Sequence, residues 1–130
     1  MRVSGGQAAA NDEFRIDEER VGSATVVLAL HGEADMRIAS ELQDRLGEVI
    51  DEGSVAVVLD LSDASFLDST TLGVLLGAMK RLRARGGRFR IVAPKAEIRR
   101  IFELTLLDRV FELDRSRREA LAAAGDGRLA

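Results

Sequence analysis

Acidic and hydroxyl side chains follow one another near the middle of the chain, in the order Asp68, Ser69, Thr70 and Thr71, directly before an apolar run. Such a cluster is typical of a helix N-terminus, where a short polar side chain caps free backbone N–H groups. A hydroxyl there could also carry a phosphoryl group, because the N-terminal end of a helix favours a nearby anion. The residue types alone fit either role, so capping and phosphorylation both remain open.

Thr70 lies at the N-terminal end of the predicted helix, on the stripe opposite the one that should pack on the sheet. A phosphate on Thr70 would add about −1.5 to −2 charges at pH 7. The predicted helix end could accept that charge, while the carboxylate of Asp68 would oppose it. We therefore predict a phosphorylated domain that stays folded and presents an altered surface.

The helix that begins near Ser69 or Thr70 and ends before Gly86 has two unlike faces. Its inner stripe should pack on a sheet and consists of Leu72, Leu75, Leu76, Met79 and Leu82. The opposite stripe is small or apolar in its first turns, where a solvated helix would carry charged side chains. The docking face predicted there for a partner comprises Thr70, Thr71, Gly73, Val74, Gly77 and Arg81.

Gly73 and Gly77 weaken this helix, since glycine costs about 1 kcal/mol relative to alanine in a helix interior. A partner that approaches the helix closely would explain them. Close packing by another element of the same fold would explain them equally well, and the sequence leaves both explanations open.

Strand and helix patterns alternate along the rest of the chain. Predicted strands cover residues 13–17, 24–30, 55–61, 89–92 and 110–113, and a turn at Gly22 joins the first two as a hairpin. Predicted helices cover residues 35–53, with Asp35 as N-cap, then 69–85, 94–104 and 116–124. This order predicts an α/β fold, with a mostly parallel sheet of four to five strands and about four helices. One domain is expected over residues 13–124, between a flexible tail (1–12) and a frayed one (125–130).

Composition argues against several classes of site. The formal net charge is −3, which gives no reason to expect nucleic-acid binding. The chain has no Cys, Trp or Tyr and one His, so we expect no metal site and no cofactor. No apolar run approaches the roughly 20 residues that span a bilayer, and no signal peptide is visible, so we expect a cytoplasmic protein without a membrane partner.

One catalytic arrangement can be drawn from the sequence, a triad of His31, Asp35 and Ser69. The Gly-x-Ser-x-Gly motif and the phosphate-binding Gly-x-x-x-x-Gly-Lys-Ser/Thr motif are both absent. His31 ends a predicted strand, where a structural role is more common, and we predict that the protein is not an enzyme. The basic run from Lys80 to Arg90 could contact an acidic partner or form a solvated helix end.

The segment Phe66-Leu67-Asp68-Ser69-Thr70-Thr71-Leu72-Gly73-Val74-Leu75-Leu76 resembles the signature of bacterial anti-sigma factor antagonists, whose domain is called STAS. The family's usual form is Asp-Ser-Ser/Thr-Gly-Leu-Gly. Gly32-Glu33-Ala34-Asp35 resembles its Gly-Glu-Leu-Asp, and Val58-Leu59-Asp60-Leu61-Ser62 resembles the strand that leads to the site. The resemblance covers roughly residues 14–121.

This resemblance implies a protein that switches partners. In the family, the unphosphorylated antagonist binds an anti-sigma factor that is also a serine/threonine kinase, and binding releases a sigma factor. The kinase phosphorylates the second hydroxyl residue of the motif, which is Thr70 here, and a metal-dependent phosphatase reverses the reaction. Asp68, Ser69 and Asp35 match positions that support the site. A monomer or weak dimer is expected.

Thr71 departs from the pattern, because it stands where the family has Gly. It could crowd the kinase or offer a rival hydroxyl. An alternative within the same fold also stays open: a STAS scaffold in a stress-signalling assembly or in lipid or anion transport machinery, without phosphorylation.

Overall fold

The computed structural model describes residues 14–34 and 36–129, so the predicted tail 1–12 and the predicted N-cap Asp35 lie outside the described residues. Within them the chain forms five strands and four helices. In chain order these are β1 (Arg15–Val21), β2 (Thr25–Ala34), α1 (Met36–Asp51), β3 (Ala56–Leu67), α2 (Ser69–Ala84), β4 (Arg88–Val92), α3 (Ala96–Leu104), a 3-10 turn (Leu107–Arg109), β5 (Glu112–Asp114) and α4 (Arg117–Leu129).

The strands form one sheet in the order β1-β2-β3-β4-β5, which confirms the predicted α/β fold. β1 and β2 pair antiparallel as the predicted hairpin, and Gly22 between them adopts a φ of +69°, which glycine reaches without strain. The other three pairs are parallel, since helical segments connect each of these strands to the next. The aliphatic runs of β2 and β3 are buried, as central strands covered on both faces require.

Helices cover the two faces of the sheet unequally. One face carries the larger core beneath α1, α2 and α3, which includes Leu42, Leu46, Ile50, Leu59, Leu75, Leu82, Ile98 and Phe102. The other face carries a smaller apolar cluster beneath α4, made of Val27, Ala56, Val58, Val92, Ala120 and Ala124. No helix within the described ranges has the length and apolar composition to cross a membrane.

Several strand and helix ends differ from the predicted ones, and the two largest differences are at the ends of β3 and α4. β3 continues to Leu67 rather than ending at residue 61, because Ala64 and Leu67 are buried and pair with β2. The last helix does not end at residue 124 as predicted. α4 continues through the buried Gly125 to Leu129, since a helix tolerates glycine at a cost of about 1 kcal/mol. Fraying of residues 125–130 stays a prediction.

Candidate functional site

Asp68 is the residue that caps α2. It follows β3 directly and has an extended backbone, with φ of −93° and ψ of 174°. Its Oδ1 accepts the backbone N–H of Thr71 at 2.8 Å, which is the hydrogen bond expected of an N-cap carboxylate. Its own backbone N–H points to the Ala34 carbonyl at the end of β2, 3.4 Å away. The end of the sheet therefore fixes where the helix begins, and neither Ser69 nor Thr70 is needed for capping.

Ser69 and Thr70 occupy the first two positions of α2 and are both exposed. Neither side chain makes a hydrogen bond to any residue that the structure describes. The backbone N–H groups of a first helical turn also lack partners inside the helix. The predicted phosphorylation site, Thr70, thus presents a free hydroxyl at the positive end of a helix dipole.

Thr71 does not share the exposed side of α2 with the other residues of the predicted docking face. The helix turns by about 100° per residue, so Thr71 points inward where Thr70 points outward. Thr71 has no exposed surface, and its hydroxyl donates to the Ala34 carbonyl at 3.3 Å. Its assignment to the docking face was therefore wrong. A buried and bonded hydroxyl is also a poor rival acceptor for a kinase.

The rest of the predicted docking face lies on the surface of α2. Thr70, Gly73, Gly77 and Arg81 are exposed, and Val74 is half-buried. A Cβ atom built on Gly73 or Gly77 would have no other atom within 4 Å outside its own stretch of helix. Close packing by another described element therefore does not explain these two glycines.

A groove between α1 and α2 adjoins the docking face. Its volume is about 260 Å³, and its lining residues are Gln43, Leu46, Gly47, Ile50, Gly73, Val74, Gly77, Ala78 and Arg81. At one end the Arg81 guanidinium donates to Asp51 Oδ1 at 2.6 Å. We call this feature the α1–α2 groove. Its α1 wall was not predicted from the sequence, although Gly47 in the middle of a predicted helix was a visible signal.

Phe66 is an exposed aromatic residue whose place on the surface was not predicted from the sequence. It is 47% exposed at the end of β3, whereas the next residue, Leu67, is buried in the core. Neighbouring side chains in a strand point to opposite faces, so Phe66 points away from the core that holds Leu67. Strict alternation along β3 would not have identified Phe66, because Ala64 and Leu67 both face the core and the pairing with β2 shifts register between Gly32 and Glu33.

His31, a member of the triad drawn from the sequence, contacts two carboxylates that were not part of that triad. His31, at the carboxyl-terminal part of β2, lies between Asp17 of β1 and Asp63 of β3, with nitrogen–oxygen distances of 3.0 and 3.1 Å. The approach of Asp17 to Nε2 is close but not aligned for a hydrogen bond. Asp35 lies outside the described residues. Within the described ranges, no group of three or more His, Asp or Glu side chains could hold a metal ion.

A second polar cluster lies beside α4. Asp60 accepts hydrogen bonds from the backbone and hydroxyl of Ser62 at 2.9 and 2.6 Å and from Arg117 Nε at 3.0 Å. Burial raises the pKa of Asp60, but these donors outweigh burial and hold the pKa below its ordinary value. Arg117 also pairs with Glu19 at 2.9 Å. These contacts join β1, β3 and α4, which is a structural role.

The basic run after Lys80 is used mainly inside the fold. Arg83 donates to the Val110 carbonyl at 3.0 Å, and Arg85 to the Ile50 carbonyl at 2.6 Å. Arg88 donates to the Ala124 carbonyl at 3.0 Å. Arg90 bonds both carboxylate oxygens of Asp114, which raises the pKa of Arg90. These arginines tie neighbouring elements together, and we assign them no partner.

Comparison with known proteins places this architecture in a family. The family model described as the STAS domain matches residues 15–120. The anti-sigma-F factor antagonist RsfB of Mycobacterium tuberculosis is 32% identical over 107 residues, which cover 82% of this chain and 87% of RsfB.

Two solved structures are similar as well. An anti-sigma factor antagonist from Mycobacterium paratuberculosis superposes with a TM-score of 0.80 at 32% identity, over 87% of this chain and 95% of the other. The Bacillus cell fate determinant SpoIIAA in its phosphorylated form superposes with a TM-score of 0.68 at 26% identity, over 84% of this chain and 98% of the other. The domain match and the identity to RsfB together show that this chain belongs to the STAS domain family.

Proposed function

We propose that this protein is an anti-sigma factor antagonist that binds an anti-sigma factor with serine/threonine kinase activity, and that phosphorylation of Thr70 ends the interaction. The supporting observation is a division of roles at the start of α2. Asp68 provides the cap, Thr71 faces the core, and Thr70 is exposed without a side-chain hydrogen bond to a described residue. The names of RsfB and of phosphorylated SpoIIAA support the same function.

A phosphate on Thr70 acts on the surface rather than on the fold. Thr70 is the second residue of α2, where free N–H groups attract an anion, so the helix end tolerates the added charge. Val74 lies one turn further along, about 6 Å by the rise of the helix. A partner seated on Val74 therefore meets the phosphate, and Asp68 beside it adds charge of the same sign. Desolvating this charge against an apolar partner surface opposes binding.

Reversal of the switch requires a second enzyme. The anti-sigma factor supplies the kinase activity, and a metal-dependent serine/threonine phosphatase removes the phosphate. This chain contributes the acceptor hydroxyl and the docking face, so the proposal needs neither a cofactor nor a catalytic residue on it. All of these proteins would act in the cytoplasm, where the regulated sigma factor binds RNA polymerase.

Phosphate mapping tests the proposal. The purified protein is incubated with ATP and, one at a time, with each kinase-type anti-sigma factor of the source organism, and mass spectrometry then locates the phosphate. We expect one phosphate on Thr70, no labelling of Thr70→Ala, and normal labelling of the control Ser69→Ala. No phosphate, when a control antagonist is labelled by its own kinase, would contradict the switch and favour an unphosphorylated scaffold.

A further inference from the structure

The α1–α2 groove has apolar side chains along both helical walls, polar surface from residues such as Gln43 and Arg81, and no occupant among the described residues. Leu46 and Ile50 line it from α1, and Val74 and Ala78 line it from α2. Its volume of about 260 Å³ is below the ~300–1,000 Å³ typical of small-molecule sites. The size suits an apolar side chain better than a free ligand.

Three glycines keep the groove open. Gly47 lies in α1, and Gly73 and Gly77 lie in α2, and all three line the groove. A Cβ on Gly47 would approach the nearest atom, Arg81 Nη1, at 3.6 Å, which is an ordinary contact, and the other two would meet nothing within 4 Å. Each glycine costs about 1 kcal/mol relative to alanine, and packing inside the described fold requires none of them. Their shared consequence is space between the two helices.

The groove has a charged end. Arg81 and Asp51, which pair there, are 47% and 66% exposed, and exposed ion pairs of this kind contribute little to stability. Arg81 can therefore exchange Asp51 for a carboxylate on another molecule at small cost. Thr70 precedes Arg81 by 11 residues, about 16 Å along the helix axis. The phosphorylation site and the cation thus lie toward opposite ends of the same helix face.

We propose that the anti-sigma factor inserts one large apolar side chain into the α1–α2 groove and places a carboxylate on Arg81. This inference rests on the proposed function and specifies which chemistry of the partner is recognised. Two features select that occupant: the apolar lining continues directly into the docking face at Gly73, Val74 and Gly77, and the exposed guanidinium is complementary to an acidic group. The glycines are then retained for binding at the expense of helix stability.

Substitutions that fill the groove test whether its glycines serve binding or only the fold. We expect Gly77→Leu to weaken binding of the anti-sigma factor at least about tenfold, because a side chain of the antagonist itself occupies the space. Gly77→Ala should weaken binding less, while its midpoint of urea unfolding rises because alanine favours the helix. The matched control, Ala122→Leu, adds the same side chain on an exposed position of α4 and should bind like the wild type.

Salt dependence tests the charged end. Wild-type affinity should fall between low and high salt, and Arg81→Gln should bind more weakly with a smaller dependence on salt. An equal salt dependence in both proteins would overturn the assignment of a partner carboxylate to Arg81.

These measurements use each purified kinase-type anti-sigma factor of the source organism, with titration calorimetry and urea unfolding as readouts. A wild-type protein that binds none of them would overturn the proposed function together with this inference. If the wild type, Gly77→Leu and Gly77→Ala all bind one of them with the same affinity, the groove inference is overturned and the proposed function stands. If Gly77→Leu does not fold, the affinities of wild type and Gly77→Ala are compared instead, with the same two possible conclusions.

Discussion

Two groups of polar side chains, one on each side of the sheet, differ in whether they are paired within the chain. Beside α4, carboxylates lie within 3.1 Å of His31 and of Arg117, and each contact joins two different elements. At the start of α2, Ser69 and Thr70 are exposed and make no side-chain hydrogen bond with a described residue, next to an open groove. Polar groups that are paired within the chain stabilise the fold, whereas free hydroxyls beside an apolar groove are available to a second molecule.

This contrast predicts that substitutions on the two faces change different quantities. Changes on the outer face of α2 should alter binding with little loss of stability. Changes in the α4-side cluster should lower stability and leave binding intact.

Val74→Arg should have the largest effect on binding. It places a charged side chain at the centre of the docking face, and we expect affinity for the anti-sigma factor to fall about 100-fold. Because Val74 is only half-buried, the free energy of unfolding should fall by less than about 1 kcal/mol. Calorimetry and urea unfolding measure the two quantities, with Ala122→Arg on α4 as the control. Unchanged affinity would show that Val74 lies outside the interface.

Arg117→Met should have the reverse effect. It keeps an apolar stem but leaves the buried carboxylate of Asp60 with Ser62 as its remaining donor, and we expect the free energy of unfolding at pH 7 to fall by about 1–3 kcal/mol. Binding should not change. A loss of affinity at full stability would break the proposed division between the two faces.

Acid should remove this difference in stability. The pKa of Asp60 is lower in the folded state than the unfolded value of about 3.9. The stabilisation is therefore fully present above pH 3.9 and is lost as the pH falls through the folded pKa. Unfolding free energies of wild type and Arg117→Met should converge below about pH 3.9, and a difference that stays constant there would contradict the role given to Asp60.

Thr71→Val should have the smallest effect. It removes the hydrogen bond from the hydroxyl to Ala34, and we expect a loss of about 0.5–1.5 kcal/mol in unfolding free energy. Phosphate incorporation should equal that of the wild type, as mass spectrometry of the intact protein measures. Reduced incorporation in a folded variant would show that Thr71 affects the kinase after all.

Local sequence patterns were enough to predict the architecture and the start of α2. Apolar runs bounded by turn residues gave the strands, and the cluster of Asp68, Ser69 and Thr70 before an apolar run gave three N-cap candidates, of which Asp68 is the cap. The length of β3 was not predictable in this way, because Ser62, Asp63 and Ser65 interrupt the apolar pattern. Pairing with β2 and burial of Leu67 extend the strand, and both are tertiary effects.

The side-chain environments were the least predictable part. Thr70 and Thr71 are the same residue type, but the rotation of about 100° between them exposes the first and turns the second toward Ala34 at the end of β2. The α1 wall of the groove and the carboxylates beside His31 come from segments distant in sequence. Periodicity along one element carries no information about which residues of another element will face it.

Release of the complex by ATP tests the central claim most directly. The complex of this protein with its kinase-type anti-sigma factor is formed without nucleotide, ATP is added, and the fraction still bound is measured by size-exclusion chromatography for wild type, Thr70→Ala and Ser69→Ala. Wild type and Ser69→Ala should dissociate as phosphate accumulates, whereas Thr70→Ala should bind and stay bound. Release of Thr70→Ala at the wild-type rate would contradict the phosphorylation switch.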